Sequence, residues 1–440
     1  MSVLKRYNKK LLIIIFSLNF VFPMFALDLP TRRIVDDSSL RISMRNTWFA
    51  ETPNQVLKMS PFVHTLPGGG RVQVRSEVAQ DEFVIILARE RNGLFPGWAQ
   101  GSWLLTRKKN DGSISRIRVF LRSDPNMYVQ FRPSTASDRS MMDVVIYDAY
   151  IVRSLSIPYS MNRLLVTPVE EVLSFVETKF PRAYFDPDPR IYQDVRSFIS
   201  LVRKRLPEVN YNDDGAIDHN GQYVYINTLT NQMGEFGLNC SGFAKWIVDG
   251  ILRPLTGTRL AVPPLTEPFG DRGSSLTNAF ERLRDPFFGL DWTRNLASVA
   301  RETIYSSPAM GKLEELEVRR QPFASIIQRT KDGTLIRSYP DFLLNAGYSF
   351  EGIQPLLYTL AIDEPGHIYL ASISNDRGPS PYMRQHFHVA VLIPYFNEYG
   401  NFQVTVFESA EETSFSRFRT RYPGHFINLV RIRVDPSFDP

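Results

Sequence analysis

The chain has 440 residues, of which 43% are hydrophobic and 22% are charged. This composition is typical of a globular protein with two or three domains, and it excludes a largely disordered chain. The formal net charge is +5, but four of the cationic residues lie within the first ten positions, and the rest of the chain carries only about +1. A protein with this balance lacks the basic surface that nucleic-acid binding requires, so we expect no nucleic-acid partner.

Residues 1–26 have the pattern of a signal peptide, because the basic start is followed by an apolar run over residues 11–25 and then by Ala26. The run contains Pro23 and is shorter than the roughly 20 apolar residues that a membrane span needs. We therefore expect an exported protein that is periplasmic or associated with the cell envelope. The mature chain would begin near Leu27 and have no stable transmembrane span, although retention of the segment as an anchor stays open.

Residues 27–160 predict a β-rich domain. Glycine and asparagine turn signals, such as Gly68-Gly69-Gly70 and Asn110-Asp111-Gly112, separate segments that are rich in β-branched and aromatic residues. The pattern favours a β-sandwich or a small barrel. A structural or docking role is the simplest interpretation, because the domain contains no cluster of catalytic residue types. The predicted strands are residues 72–78, 82–88, 114–121, 128–131 and 142–152.

Residues 161–209 predict a helical linker or the start of a second domain. Apolar residues recur at steps of three and four over residues 169–176 and 195–202, and the prolines of residues 186–189 predict a break between two helices. The following residues, 210–215, resemble the start of a calcium loop. A solvated turn is the better interpretation, because Gly221 stands where a bidentate glutamate is needed.

Cys240 is the only cysteine, so it cannot form a disulfide within its own chain. It directly precedes apolar residues at helical spacing, which places it at the N terminus of a helix that we expect to end at Arg253-Pro254. The free N–H groups and the positive dipole end of a helix stabilise a thiolate and any oxyanion beside it. Gly242 leaves room for a substrate or a neighbouring strand. An inert, buried cysteine is the alternative.

His386 and His388 begin a strand, residues 385–393, that is apolar on both faces. Strand alternation would place the two histidines on the same face, so a two-histidine metal site is one alternative. No third ligand stands at a suitable spacing, and we therefore expect no metal. A histidine at this position could instead act as the base that a nucleophilic cysteine needs.

A base is usually oriented by a third polar group, and Glu408 is the candidate. It ends the next predicted strand, residues 402–408, which should pair with the histidine strand as a hairpin. If the hairpin is centred on Glu398, Glu408 lies opposite His388, whereas a shift of the turn by one residue places Ala410 there. A solvent-facing Glu408 is the alternative.

Four short sequences resemble the NlpC-like cysteine peptidases, a papain-like superfamily of bacterial cell-wall hydrolases. They are Asn239-Cys240-Ser241-Gly242, Pro365-Gly366-His367-Ile368, His388-Val389-Ala390-Val391 and Glu408-Ser409-Ala410. The resemblance implies that Cys240 is the nucleophile, His388 the general base and Glu408 the orienting residue. It also implies supporting or oxyanion roles for Ser241 and for an upstream tyrosine, Tyr223 or Tyr225. Asn239 stands where the family usually has aspartate.

The predicted elements and this resemblance together imply an α+β fold. In this fold the β-rich domain precedes a papain-like (NlpC-like) domain over residues 210–440. An insertion at about residues 252–362 is far longer than in compact members of the family. Within it, residues 276–283, 292–304 and 341–361 predict helices, and residues 313–328 are ambiguous. Such an insertion either borders the site and shapes its specificity or simply packs against the domain.

The sequence thus predicts a secreted or periplasmic cysteine hydrolase that cleaves amide bonds in peptidoglycan stem peptides and needs no cofactor. One alternative keeps the fold but changes the chemistry, to a papain-like amidase or acyltransferase acting on another substrate. The other is a non-catalytic binding module of the cell envelope in which Cys240 is merely buried.

Overall fold

The computed structural model describes residues 35–270, 285–306, 313–319, 323, 325–329, 335–338, 342–376 and 384–440, and these form a mixed α+β protein. The helices are α1 (Ser38–Ser43), α2 (Pro53–Val56), α3 (Met161–Leu164), α4 (Val169–Phe175), α5 (Gln193–Arg205), α6 (Cys240–Thr256), α7 (Phe288–Tyr305), α8 (Leu313–Leu316), α9 (Ile353–Asp363) and α10 (Phe415–Arg421). The first ten strands are β1 (Phe62–Thr65), β2 (Arg71–Ala79), β3 (Glu82–Arg89), β4 (Trp103–Lys108), β5 (Ile114–Val119), β6 (Met127–Pro133), β7 (Ser140–Ile146), β8 (Ala149–Ile157), β9 (Gly215–Ile217) and β10 (Tyr223–Tyr225). The remaining strands are β11 (Ser325–Arg329), β12 (Leu335–Ser338), β13 (Tyr348–Ser349), β14 (His367–Asp376), β15 (Arg384–Phe396), β16 (Phe402–Glu408), β17 (Glu411–Ser414) and β18 (Phe426–Arg433).

Strands β1 to β8 form one antiparallel meander in which each strand pairs with the next. Alternate side chains point to a single core, as Val72 and Val74 of β2 and Phe83 and Ile85 of β3 show. The five predicted strand segments are confirmed, but the segment over 142–152 is divided between β7 and β8. The described strands of this region lie in one continuous sheet, which differs from the two separate sheets of a sandwich.

Two further strands extend this sheet, because β11 pairs with β8 and β12 pairs with β11. Both come from the long segment in which the sequence predicted only helices and one ambiguous stretch. The helix predicted over 292–304 is confirmed as α7, and the one predicted over 276–283 lies outside the described residues. The ambiguous stretch contains the short α8 and then β11.

The prediction of a helix over residues 341–361 is wrong for the first half of this range. Asn345 and Gly347 have φ angles of +58° and +91°, which no right-handed helix contains. Gly347 also lies directly against β18, since a Cβ atom there would lie 1.9 Å from the carbonyl oxygen of Ile427. The chain therefore forms a turn and the short β13 before α9 begins at Ile353.

The second sheet has six antiparallel strands in the order β13-β18-β14-β15-β16-β17. Successive side chains of β15 enter two different cores. Val389 and Val391 pack in the core that contains α6 and α7, whereas Ala390 and Leu392 pack in the core that contains α9. The predicted strand with two apolar faces is confirmed, and this sheet carries the histidine strand between layers of helices.

Helices α4 and α5 are confirmed, and three short 3-10 turns lie between them where the prolines predicted a break. The N-terminal core continues into the second half of the chain, because Tyr358 and Ala361 of α9 and Phe396 of β15 are buried within it. The domain boundaries stay predictions. Within the described ranges, no helix combines the length and the apolar character that crossing a bilayer requires.

The predicted end of the Cys240 helix is wrong, because α6 continues through Pro254 to Thr256. Proline has no N–H group and would leave the carbonyl of Gly250 without its helical donor. The N–H of Asp439 donates to that carbonyl instead, at 2.9 Å. The C-terminal tail thereby takes over a hydrogen bond of the helix. Gly257, with a left-handed φ of +74°, caps the helix after Thr256.

Candidate active site

Cys240 is the first residue of α6, and the residue before it caps the helix. The Oδ1 atom of Asn239 accepts a hydrogen bond from the N–H of Gly242 at 2.7 Å. Asparagine and aspartate cap equally well, which explains how Asn239 can stand where the NlpC-like family has aspartate. The Nε1–H of Trp292 in α7 donates to the carbonyl of Ser241 at 2.9 Å and fixes the first turn from the other side.

Gly242 is required by the close approach of β9 to α6. A Cβ atom at this position would lie 2.0 Å from the backbone oxygen of Gly215. The N–H of Asn239 donates to that same oxygen at 3.0 Å, so the start of the helix is attached to β9. The expectation that Gly242 admits a neighbouring strand is confirmed.

The half-buried Cys240 thiol lies against β15. The thiol interacts with the side chain of His388 and with the N–H of Val389, and its sulfur lies 4.0 Å from the Ser241 hydroxyl. Burial by itself would raise the pKa of the thiol, but the interactions with His388, Val389 and Ser241 outweigh it, and the pKa of Cys240 is lowered. The thiolate is therefore favoured, as catalysis by cysteine requires.

His388 contacts the thiol and a carboxylate at the same time. Its Nε2–H donates to Oε2 of Glu408 at 2.7 Å, which leaves Nδ1 as the ring nitrogen available to Cys240. Burial opposes a charge on the ring, but the interactions with Cys240 and Glu408 raise the pKa of His388 to about 9. The shifts of both partners favour a thiolate–imidazolium pair at neutral pH.

Glu408 is 1% exposed and has partners on both oxygens. Oε2 binds His388, and Oε1 accepts a hydrogen bond from Nη1 of Arg421 at 2.6 Å. Burial would raise the pKa of Glu408, but hydrogen bonds from His388 and Thr413 and the charges of His388 and Arg421 lower it. Glu408 is therefore held as a carboxylate, and the alternative of a solvent-facing side chain is wrong.

The hairpin that brings His388 and Glu408 together is not centred on Glu398. The turn closes between Asn397 and Asn401, with Gly400 at a φ of +74°, so the hairpin is centred one residue later. The strands consequently pair Val391 with Phe407 and Leu392 with Val406. Glu408 is then diagonal to His388 on the same face, a separation that two long side chains can span. The predicted register is wrong, although the two predicted side chains meet.

A β-bulge at the start of β15 separates the two histidines. Ile373 pairs with His388 while the adjacent Ser374 pairs with His386, so the histidines face opposite sides of the sheet. His386 is buried, with its ring nitrogens bonded to Ser372 Oγ and to the carbonyl of Asn345. The prediction that His386 and His388 share one face of the strand is therefore wrong, and a two-histidine metal site depends on that shared face. Among the residues that the structure describes, no group of three or more potential ligands could hold a metal ion.

The charge of Cys240 raises the pKa of two tyrosines that the sequence did not indicate, Tyr211 and Tyr422. Tyr211 forms a parallel bridge with Leu238, two residues before the cysteine. A hydrogen bond to Asp213, together with burial and the negative charge of Cys240, raises the pKa of Tyr211 to about 12, so its hydroxyl stays a proton donor. The predicted solvated turn over 210–215 contains this residue, and no spacing in the sequence connects it with Cys240.

The two predicted tyrosines lie on β10, the partner of β9. Tyr223 stacks on Phe236 at 5.6 Å between ring centroids, and the N–H of Tyr225 donates to the carbonyl of Thr230. A role for either tyrosine at the oxyanion site stays a prediction.

The C-terminal end of α10 adds two residues that the sequence did not indicate. Arg421 binds Glu408, and the ring of the buried Tyr422 lies 5.9 Å from the ring of His388. Both come from a segment without catalytic spacing, and only the folding of α10 against β16 and β17 brings them to the site.

Residues 30–184 match a family model described as a domain of unknown function (DUF8515). No curated protein and no solved structure gave a significant match to the chain. The matched residues cover the meander of β1 to β8 and the segment through α4, and they end before Cys240, His388 and Glu408. The function of the site therefore has to be argued from its own geometry.

Proposed function

We propose that this protein is an exported cysteine hydrolase with a papain-like second domain, and that it cleaves amide bonds in the stem peptides of peptidoglycan. The observation that carries the proposal is the position of Cys240 at a helix N terminus, where its thiol interacts with His388, whose ring is hydrogen-bonded to Glu408. A nucleophile, a base and an orienting carboxylate in this order are the parts that acyl transfer through a thiol requires. The choice of substrate follows from the resemblance to the NlpC-like cysteine peptidases.

In the proposed reaction, the Cys240 thiolate attacks the carbonyl carbon of the scissile amide. The negative oxygen that forms lies near the N terminus of α6, where backbone N–H groups are candidate donors. The His388 imidazolium gives its proton to the leaving amine, and a thioester with Cys240 remains. Neutral His388 then takes a proton from water, which attacks the thioester and releases the carboxylic acid and the thiol. Glu408 keeps the ring oriented throughout.

Digestion of purified muropeptides tests the proposal. The wild-type protein should split them into two products whose masses together equal the substrate plus one water, as mass spectrometry can show. Cys240→Ala should leave the muropeptides intact under the same conditions. Intact muropeptides after incubation with wild-type protein would reject peptidoglycan peptides as the substrate.

A second candidate keeps the thiol chemistry but changes the acyl group. The segment before Cys240 exposes large apolar side chains, with Met233 at 84% and Phe236 at 51% exposure. Exposed apolar residues in the segment that leads to the nucleophile favour an apolar acyl group, as in an amidase or acyltransferase acting on another substrate. Faster turnover of a p-nitrophenyl ester of a long-chain fatty acid than of a stem peptide would favour this candidate.

A further inference from the structure

A cleft of about 560 Å³ lies where the N-terminal sheet, the segment after α4 and the turn between β15 and β16 meet. Neither Cys240 nor His388 is among its lining residues. The volume is within the range of about 300–1,000 Å³ that is usual for small-molecule sites, and such sites occur preferentially where structural units meet. The cleft is therefore a second candidate site, remote from the thiol.

The charges that line the cleft cancel, because three arginines and three aspartates contribute to it. Several of these groups already have partners within the protein. Arg190 pairs with Asp188 at 2.8 Å, and Nη2 of Arg122 donates to the carbonyl of Gly400 at 2.6 Å. A guanidinium has five N–H donors and a carboxylate about four acceptor positions, so these pairs keep hydrogen-bonding capacity. The lining therefore suits a neutral ligand with many hydroxyl groups better than an ion.

Aromatic rings supply the apolar part of the lining. Tyr147 packs on Tyr358 at 5.5 Å between ring centroids, and its hydroxyl donates to Oδ2 of Asp124 at 2.9 Å. Tyr147 has a φ of +47° because it forms, with Asp148 at +65°, the two-residue turn between β7 and β8, and this turn brings Tyr147 to the lining of the cleft. Tyr399, at the hairpin turn, is 48% exposed. The exposed ring of Tyr399 matches the C–H face of a sugar ring, whose hydroxyls would meet the arginines and aspartates, whereas Tyr358 is 1% exposed and supports Tyr147.

We propose that this cleft binds a neutral oligosaccharide, namely a stretch of the glycan strand that carries the stem peptides. The identity of the glycan rests on the proposed function, whereas the sugar-binding chemistry rests on the cleft alone. Phe402 lines the cleft and Glu408 lies in the catalytic site. Both are on β16, about 20 Å apart at ~3.4 Å per residue. The cleft thus holds the polymer at a distance from the scissile bond and raises the local concentration of stem peptides around Cys240.

Binding of chitotetraose, a soluble oligomer of N-acetylglucosamine, tests the cleft without any hydrolysis. Isothermal titration calorimetry would compare three proteins. The reference carries Cys240→Ala, and the other two carry Cys240→Ala together with Tyr399→Ala or with Tyr305→Ala. Tyr305 is a matched control, since it is 47% exposed and lies on α7, away from the cleft. We expect Tyr399→Ala to weaken binding at least tenfold and Tyr305→Ala to leave it unchanged. No binding by the reference protein, or equal binding by both tyrosine variants, would overturn the proposal.

A second readout separates the cleft from the catalytic site. Tyr399→Ala on its own should raise KM several-fold for intact peptidoglycan and leave the hydrolysis of a free stem peptide unchanged. Equal loss on both substrates would contradict a glycan anchor. If the wild-type protein cleaves neither substrate, the proposed function fails, and the chitotetraose titration still decides whether the cleft binds sugar.

Discussion

His388 and Glu408 make side-chain contact across the β15–β16 hairpin without being paired opposite each other. Nε2 of His388 and Oε2 of Glu408 are 2.7 Å apart, whereas the strand register pairs Val391 with Phe407. The contact is diagonal and depends on the length of both side chains. A shorter carboxylate at position 408 would not span this separation.

The first prediction concerns the two reacting groups. Cys240→Ala and His388→Asn should each lower kcat/KM for stem-peptide hydrolysis by about 10³-fold or more. Because the two residues act as one unit, the double variant should be no less active than the less active single variant. Product formation measured by mass spectrometry gives the rates, and circular dichroism checks that the variants fold. Substantial activity in Cys240→Ala would exclude the cysteine as nucleophile.

The second prediction concerns the pH dependence of the reaction. His388 must be protonated in the reactive pair, so activity should fall as the pH rises through the pKa of about 9 to which Cys240 and Glu408 raise the ring. Glu408→Gln removes one of the charges that raise this pKa, and the alkaline limb of the kcat/KM profile should therefore move to lower pH. Glu398→Gln, at the exposed hairpin turn, is the control and should leave the limb in place. An alkaline limb at the same pH in the wild type and in Glu408→Gln would contradict the role assigned to Glu408.

The third prediction concerns Arg421, which is hydrogen-bonded to Glu408 and is proposed to position it. Arg421→Gln removes the cation next to Oε1 and should lower kcat about tenfold, equivalent to ~1.4 kcal/mol, with little change in KM. Arg421→Lys restores the charge and should recover part of the loss, and its alkaline limb should lie closer to that of the wild type. Equal kcat in the wild type and Arg421→Gln would show that the ion pair has no influence on catalysis.

The fourth prediction concerns the contact between α6 and β9. Alanine is favoured over glycine in a helix by about 1 kcal/mol, but a Cβ atom on Gly242 would lie 2.0 Å from the Gly215 oxygen. We expect Gly242→Ala to lower the free energy of unfolding by about 1–3 kcal/mol, the usual cost of overpacking. Gly68→Ala is the matched control, because no atom lies within 4 Å of a Cβ atom there. Urea unfolding of both variants measures the difference, and a Gly242→Ala variant as stable as the control would contradict the close packing.

Local patterns in the sequence predicted the elements that carry the site. Residues around Val169 and Val195 recur at the helical period, and the alternation of Val389 and Ala390 between two cores appears in the sequence as an uninterrupted apolar run. The sequence places Cys240 at a helix start because the cysteine directly precedes apolar residues at helical spacing. These properties depend on neighbours in the sequence and are therefore visible there.

The remaining features depend on contacts between distant parts of the chain. The hairpin register is set by Asn397 and Gly400, and a shift of one residue in the turn moves every pair by two. The bulge that turns His386 away from His388 follows from the pairing with β14, and nothing in the sequence of β15 marks it. Tyr211 and Arg421 reach the site only through tertiary packing. The continuation of α6 past Pro254 likewise depends on Asp439, at the far end of the chain.

The pH dependence of Cys240 alkylation tests the central claim most directly, because the protein has no other cysteine. Intact-mass spectrometry after timed exposure to iodoacetamide gives the rate at each pH for the folded wild-type protein and for His388→Ala. We predict that the wild-type thiol reacts well below pH ~8.5, the ordinary thiol pKa, and that His388→Ala moves the onset of reaction to higher pH. A Cys240 that reacts only after unfolding, or the same pH dependence in both proteins, would contradict the account.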